Sequence, residues 1–226
     1  MPGPIYSISP FTLLDFPGKA ACILWFAGCN MRCLYCYNPE IVLGKGRIGV
    51  DEALAFIRSR RGLLQGVVLS GGECTLHRAI FPLLESVKQF GFAVKIDTNG
   101  SRPRVLEALI KRGLVDYVAL DFKALESRYR AVTLSGLFPA FAESLSLLNG
   151  AGIPFEVRTT VHSDLINGEE LRAMVAYLQN AGYSGRYYIQ HYVNDVPVLE
   201  KALGRSIRSG DPSALSTDRI QVVSRA

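Results

Sequence analysis

No apolar run in this chain approaches the ~20 residues that a membrane-spanning helix needs. The opening Met-Pro-Gly-Pro has neither the charged nor the apolar region of a secretory leader. A cytoplasmic location is the expectation, with no membrane partner. Long basic runs are also missing. The 25 Lys and Arg against 20 Asp and Glu leave a formal charge of +5, too dispersed to argue a nucleic-acid footprint. There is no internal repeat and no low-complexity segment. With 49% hydrophobic and 20% charged residues, disorder is excluded and a sizeable core can be filled. No Gly-x-Gly-x-x-Gly follows the first strand-like run, so nothing argues for a dinucleotide fold. Histidine is scarce, at three residues: His77, His162 and His191. Cysteine is present in an odd number, five, three of them crowded together. That is a poor disulfide scaffold and fits a reducing compartment and metal chemistry.

What is present alternates. Short apolar runs at Ala21–Phe26, Gly66–Leu69, Ala93–Asp97, Tyr117–Asp121, Phe155–Thr160 and Arg186–Gln190 read as strands. Most are apolar on both faces, as buried parallel strands are. Between them, Val50–Arg60, Ala79–Phe90, Arg102–Lys111, Phe138–Leu148 and Glu169–Gln179 carry helical periodicity. Repeated strand–helix units predict an α/β fold with a parallel sheet. Residues 1–19 read as an N-terminal extension with turns at Ser9-Pro10 and Phe16-Pro17-Gly18. Residues 194–226 read as a polar, loop-rich tail that packs on the main domain, residues 20–193.

The three crowded cysteines are Cys29, Cys33 and Cys36, spaced C-x3-C-x2-C. Three thiolates on one short loop are one fewer than a closed site needs, whether the site is an iron–sulfur cluster or structural zinc. Three readings stand at this point. One is a cluster with an open iron, another is a zinc loop completed by His77, His162 or His191, and the third is three unrelated buried cysteines. Further motifs lie at or near the ends of the predicted strands, where β/α barrels gather their reactive residues. They are Ser70-Gly71-Gly72-Glu73, Lys95-Ile-Asp97-Thr-Asn-Gly100, Asp121-Phe-Lys123, Arg158-Thr-Thr160 and His191. Lys95 and Arg158 interrupt apolar strands, where an unpaired charge would be costly to bury. Each points into a polar cavity or out to solvent.

The loop Trp25–Pro39 resembles the cluster loop of the radical S-adenosylmethionine (radical SAM) enzymes. It is closest to the activating enzymes of glycyl-radical proteins, and among them to the anaerobic ribonucleoside-triphosphate reductase activating proteins. The four later segments Ser70–Glu73, Lys95–Gly100, Ala119–Lys123 and Arg158–Thr160 match in the same order. The resemblance implies a partial (β/α)6 TIM-like barrel, to which the six predicted strands conform. It implies that Cys29, Cys33 and Cys36 hold one [4Fe–4S] cluster that binds and cleaves S-adenosylmethionine. It also implies that Gly71, Gly72, Glu73, Asp97, Asp121, Lys123, Arg158 and His191 line the S-adenosylmethionine site. The implied partners are a glycyl-radical protein, an anaerobic ribonucleotide reductase by this likeness, and a flavodoxin or ferredoxin as electron donor. A radical SAM enzyme acting on a small molecule or another protein is the nearest rival, and a zinc-binding interaction module a more distant one. Two positions depart from the pattern. Tyr37 stands where many members carry histidine, and Cys74 where proline commonly follows Gly-Gly-Glu.

Overall fold

The structure, a computed structural model, describes residues 3–200, 203–208 and 210–225. Its contacts divide these residues between two compact units. One is made of Met1–Asn30, Asn38–Thr98 and Arg104–Ala119, and the other of Met31–Tyr37, Asn99–Pro103 and Leu120–Ala226.

In the first unit, strands β1 (Ile5–Thr12), β2 (Ala21–Phe26), β3 (Gly66–Gly71) and β4 (Ala93–Thr98) lie side by side in that order. β2, β3 and β4 are parallel, with Ala21 opposite Gly66 and Gly66 opposite Ala93. The run of Val67, Val68 and Leu69 has no exposed surface, which is why period-2 alternation is absent. Helices α1 (Pro39–Leu43), α2 (Val50–Ser59), α3 (Ile80–Gln89) and α4 (Pro103–Lys111) fill the connections. α3 buries Ile80, Leu83, Leu84 and Val87, the i, i+3, i+4, i+7 stripe of a helix packed on one face.

β1 departs from the reading of residues 1–19 as an extension. It pairs antiparallel with β2, Ile5 opposite Phe26 and Thr12 opposite Ala21, with register shifts on either side of Ser7–Ser9. Pro10, which reads as a turn in sequence, is tolerated because a strand edge can dispense with a ladder N–H. The other predicted turn is present: Lys19 N–H donates to the Phe16 carbonyl at 3.1 Å and Gly18 has φ +70°.

β5 (Tyr117–Asp121) starts in the first unit, where Asp116 N–H donates to the Val94 carbonyl of β4 at 2.9 Å. In the second unit Phe122 N–H, just past β5, donates to the Arg158 carbonyl of β6 (Phe155–Val161) at 2.8 Å. β6, β7 (Gly185–His191) and β8 (Ile220–Arg225) are parallel neighbours. β8 falls within the stretch read as a loop-rich tail. Its sequence Ile-Gln-Val-Val-Ser-Arg is too polar to resemble the doubly buried strands. Helices α5 (Glu126–Thr133), α6 (Phe138–Gly150) and α7 (Gly168–Asn180) complete this unit. α7 starts at a capping box in which Asn167 and Glu170 satisfy each other's backbone amides, worth about 1 kcal/mol. α5 was invisible in the apolar pattern because it is largely polar, burying only Tyr129, Val132 and Thr133.

Candidate active site

The end of β3 shows why two glycines sit there. Gly71 has φ +112°, and a Cβ on it would lie 2.6 Å from the backbone nitrogen and oxygen of Phe26. A Cβ on Gly72 would lie 1.8 Å from the Gly28 carbonyl oxygen. The space that side chains would occupy is thus used by the chain itself, at the root of the cysteine loop. Gly72 N–H donates to the Phe26 carbonyl at 2.8 Å and Glu73 N–H to the Gly28 carbonyl at 2.9 Å, so β3 fixes the peptide immediately before Cys29. Gly28 N–H in turn donates to the Ile41 carbonyl of α1 at 2.8 Å.

Glu73 itself is fully buried. Its Oε1 accepts from Thr75 N–H at 3.2 Å, from the Thr75 hydroxyl and from the Thr98 hydroxyl at 2.9 Å. Hydroxyls and a helix-starting amide are the partners a carboxylate needs to remain buried. Asp97, at the end of β4, accepts from the Ser70 hydroxyl at 3.0 Å and pairs with the buried ammonium of Lys95. Lys95 therefore points inward to a partner rather than to solvent. Cys74 is buried with its Sγ 3.7 Å from the Asp97 carbonyl oxygen. Burial first, then the carboxylates of Glu73 and Asp97, push its thiol well above the ordinary cysteine value, so it is an inert neighbour.

In the second unit the charges just past β5 and on β6 form a chain. Asp121 Oδ1 accepts from Arg158 Nε at 3.0 Å and Nη2 at 2.9 Å, while its Oδ2 accepts from Lys123 Nζ at 3.1 Å. Arg158, Asp121 and Lys123 side chains are 13%, 23% and 18% exposed, so the group is neither solvated nor sealed. Burial alone would raise the Asp121 carboxyl, but the Arg158 guanidinium and the Lys123 ammonium together hold it below its ordinary value. Burial works against a charged Lys123, yet Asp121, then Tyr35 and Cys33, keep its pKa well above the usual lysine value. Lys123 is therefore held as a cation by Asp121, with ammonium protons beyond the one given to it.

Tyr35, between the second and third loop cysteines, was not singled out by the sequence. It is 2% exposed and its hydroxyl has no hydrogen-bond partner. Lys123 Nζ lies 6.0 Å from its ring centroid. A buried hydroxyl left unsatisfied costs about 1–3 kcal/mol, and such groups gather where a ligand completes the bonding.

His191 stands apart from the other strand-end candidates. In the β6–β7 register Arg158 faces Tyr188 and Thr160 faces Gln190, whereas His191 is opposite Val161. Side chains alternate along a strand, so His191 stands on the sheet face opposite Arg158. There its Nε2 bonds Ser224 Oγ at 2.9 Å. It lines a 360 Å³ cavity with Ile189, Leu171 and Arg208. The Arg158 face carries Tyr188, with the Arg225 guanidinium 3.3 Å from its ring centroid, and Gln190. The other histidines are engaged locally. His77 Nε2 donates to the Ala27 carbonyl at 2.8 Å, and His162 Nε2 to the Gly204 carbonyl at 2.8 Å.

Cys29, Cys33 and Cys36 bring three thiolates on one loop, a donor set that suits an iron–sulfur cluster with one iron left for another ligand. All five cysteines are free thiols, Cys29 and Cys36 half-buried and Cys33 buried. Among the described residues no three Cys, His, Asp or Glu side chains stand in a ready-made metal cage. The Lys123 cation over the Tyr35 ring, with the unpartnered Tyr35 hydroxyl, also fits a ligand carrying a carboxylate.

Comparison with known proteins agrees with this chemistry. A Methanocaldococcus jannaschii protein, assigned by name to the glycyl-radical enzyme activating enzymes, is 39% identical over 128 residues, 56% of this chain and 52% of its own length. The pyruvate formate-lyase-activating enzyme of Clostridium pasteurianum is 28% identical over 187 residues, covering 79% of this chain and 77% of that enzyme. The chain thus spans about half of the first relative and three quarters of the second. Streptococcus suis SuiB bound to S-adenosylmethionine superposes with a TM-score of 0.66 at 14% identity, over 90% of this chain and 52% of SuiB. QueE from Escherichia coli gives 0.54 at 18% identity, over 85% of this chain and 84% of QueE. These two share the fold, an α/β parallel-sheet architecture of the partial TIM-like barrel type. The radical SAM superfamily pattern matches residues 23–181, from the first parallel strand to the end of α7, and the chain belongs to the radical SAM superfamily, whose cofactors are a [4Fe–4S] cluster and S-adenosylmethionine.

Proposed function

We propose that this protein is a glycyl-radical activating enzyme and that its partner is the catalytic subunit of an anaerobic ribonucleoside-triphosphate reductase. Cys29, Cys33 and Cys36 are the proposed cluster ligands, leaving one iron for S-adenosylmethionine. When bound, the cluster supplies the electron that splits S-adenosylmethionine into methionine and a 5′-deoxyadenosyl radical, which takes a hydrogen from a glycine Cα of the partner.

The single observation that carries the cofactor assignment is Lys123, bonded to Asp121 at 3.1 Å and 6.0 Å from the ring centroid of Tyr35 on the cysteine loop. Its role is to receive the methionine carboxylate, with Asp121 and Arg158 fixing its position. Gly71, Gly72, Glu73 and Asp97 are the proposed contributors from the first unit. There the glycines hold the loop root, while Glu73 and Asp97 keep the β3 and β4 ends in place. His191 is left out of the set on the strength of its sheet face. The activating role rests on the names of the two relatives, and the ribonucleotide reductase on the motif likeness of the cysteine loop. A flavodoxin or ferredoxin is the proposed electron source.

The test is anaerobic EPR. Reconstituted protein, reductant, S-adenosylmethionine and an anaerobic ribonucleotide reductase are expected to give a glycyl-radical doublet on the reductase. 5′-Deoxyadenosine without a doublet would keep the S-adenosylmethionine chemistry and reject the partner. A Cys33→Ala variant that still made 5′-deoxyadenosine would reject the cluster assignment.

A further inference from the structure

Beyond β7 the chain returns across the cysteine loop. Tyr192 N–H donates to the Val161 carbonyl at 3.0 Å, which ties the turn to the end of β6. The Tyr192 ring stacks on Tyr37, with centroids 5.5 Å apart and planes at 26°, and takes the His162 ring edge-on at 4.5 Å. Val193 N–H donates to the Tyr37 hydroxyl at 2.7 Å. Further along, Leu199 N–H donates to the Cys36 carbonyl and Glu200 N–H to the Leu34 carbonyl, both at 3.1 Å. The opposite side of the same loop segment is held by α5: Arg32 N–H donates to the Thr133 carbonyl at 2.9 Å and Leu34 N–H to the Val132 carbonyl at 3.1 Å. Loop carbonyls thus face one element and loop amides another. Leu34 is secured on both sides, and Cys33 and Cys36 flank it.

We propose that residues 192–200 form a strap that preorganises the Cys33–Cys36 half of the loop for its cluster, with Tyr37 as the latch. Tyr37 is a positioning residue: its ring and hydroxyl are spent on the strap, and its effect reaches the cluster through the loop backbone. Fixing ligands in place before the metal arrives reduces the ordering cost on binding and slows ligand release.

The cluster-holding part rests on the proposed function, so the closing experiment has one arm that does not depend on it. In cluster-free protein, alkylation of each cysteine is followed by mass spectrometry for wild type, Tyr37→Phe and Tyr37→Ala. Losing one hydrogen bond is expected to speed modification of Cys33 and Cys36 about fivefold in Tyr37→Phe, and losing the stack as well more than tenfold in Tyr37→Ala. Cys29, fixed by β3, should keep its wild-type rate. Equal acceleration of Cys29, or no acceleration of Cys33 and Cys36, overturns the strap. If Tyr37→Ala does not fold, Tyr37→Phe, which keeps the ring, still decides the matter. The second arm measures iron release from reconstituted protein to a chelator, expected to rise in the same order. Faster thiol modification with no cluster in any variant, wild type included, would retain the strap and reject the cluster reading instead.

Discussion

The contact between Gly72 and Gly28 makes Gly72→Ala the sharpest test of how the cysteine loop is rooted. The methyl group would be placed 1.8 Å from the Gly28 carbonyl oxygen and 2.5 Å from its carbonyl carbon. An ordinary carbon–oxygen contact of about 3.3 Å is missed by about 1.5 Å. The obstacle is backbone, so no side-chain rotation relieves it. The same two segments are joined by the 2.8 Å Gly72–Phe26 bond and the 2.9 Å Glu73–Gly28 bond, and separating them breaks one or both. Overpacking at about 1–3 kcal/mol and about 1 kcal/mol for each lost bond set the cost at about 2–5 kcal/mol, a large part of a typical domain's stability. The comparison is Gly113→Ala, where φ is +64° but nothing lies within 4 Å of the new methyl, so only the backbone penalty of about 1–2 kcal/mol applies. Urea denaturation of cluster-free protein, followed by circular dichroism, ranks the two variants. Iron per chain after anaerobic reconstitution should also fall in Gly72→Ala, since Gly28 precedes Cys29. If Gly72→Ala lost no more stability than Gly113→Ala, the close approach would not be what demands glycine here.

Three further outcomes follow from the same geometry. Asp121→Asn removes the charge shared by Arg158 and Lys123 and is expected to cost about 2–3 kcal/mol at pH 7, below the fully buried range because the group is partly exposed. The folded Asp121 carboxyl lies below its ordinary value, so its contribution is complete above the unfolded pKa of about 3.9 and fades as pH falls through the lower native value. Urea midpoints from pH 7 to pH 2.5 should show the gap between wild type and variant closing only below about pH 4, and a constant gap would refute the pairing. In cluster-free native protein at pH 8, Cys29 and Cys36 should alkylate well before Cys22 and Cys74. Burial pushes the Cys22 thiol to about 11, leaving about one molecule in a thousand as thiolate, and early labelling of Cys22 or Cys74 would contradict their burial. Tyr35→Phe deletes an unpartnered buried hydroxyl and should stabilise cluster-free protein by about 1–2 kcal/mol. A destabilised Tyr35→Phe would mean that the hydroxyl already has a partner.

Six strands were legible within two residues at each end because burial leaves short, mostly apolar runs. β1 and β8 were not, and for opposite reasons. β1 carries a proline that only an edge position excuses, and β8 alternates polar and apolar residues in a stretch otherwise rich in turns. α5 gave no signal because its helical face is mostly polar, yet its last carbonyls hold the cysteine loop. The site residues divide in the same way. Spacing alone exposed the three thiols, and strand-end position exposed Glu73, Asp97, Asp121, Lys123 and Arg158. What spacing cannot give is a partner: that Lys95 is spent on Asp97, or that Glu73 is shared by Thr75 and Thr98, depends on neighbours 2 to 25 residues away.

His191 shows where the limit lies. Its place after an apolar run marks it as a strand-end residue, and so does the place of Gln190. Which of the two shares a face with Arg158 is set by the register of β6 against β7, and a shift of one residue exchanges them. That register pairs Thr160 with Gln190, so Gln190 and Tyr188, and not the imidazole, share the face of Arg158. Gln190→Ala is therefore expected to weaken S-adenosylmethionine binding, measured by equilibrium dialysis on reconstituted protein, while His191→Ala leaves it unchanged. The reverse ranking would return the histidine to the site and refute the face assignment.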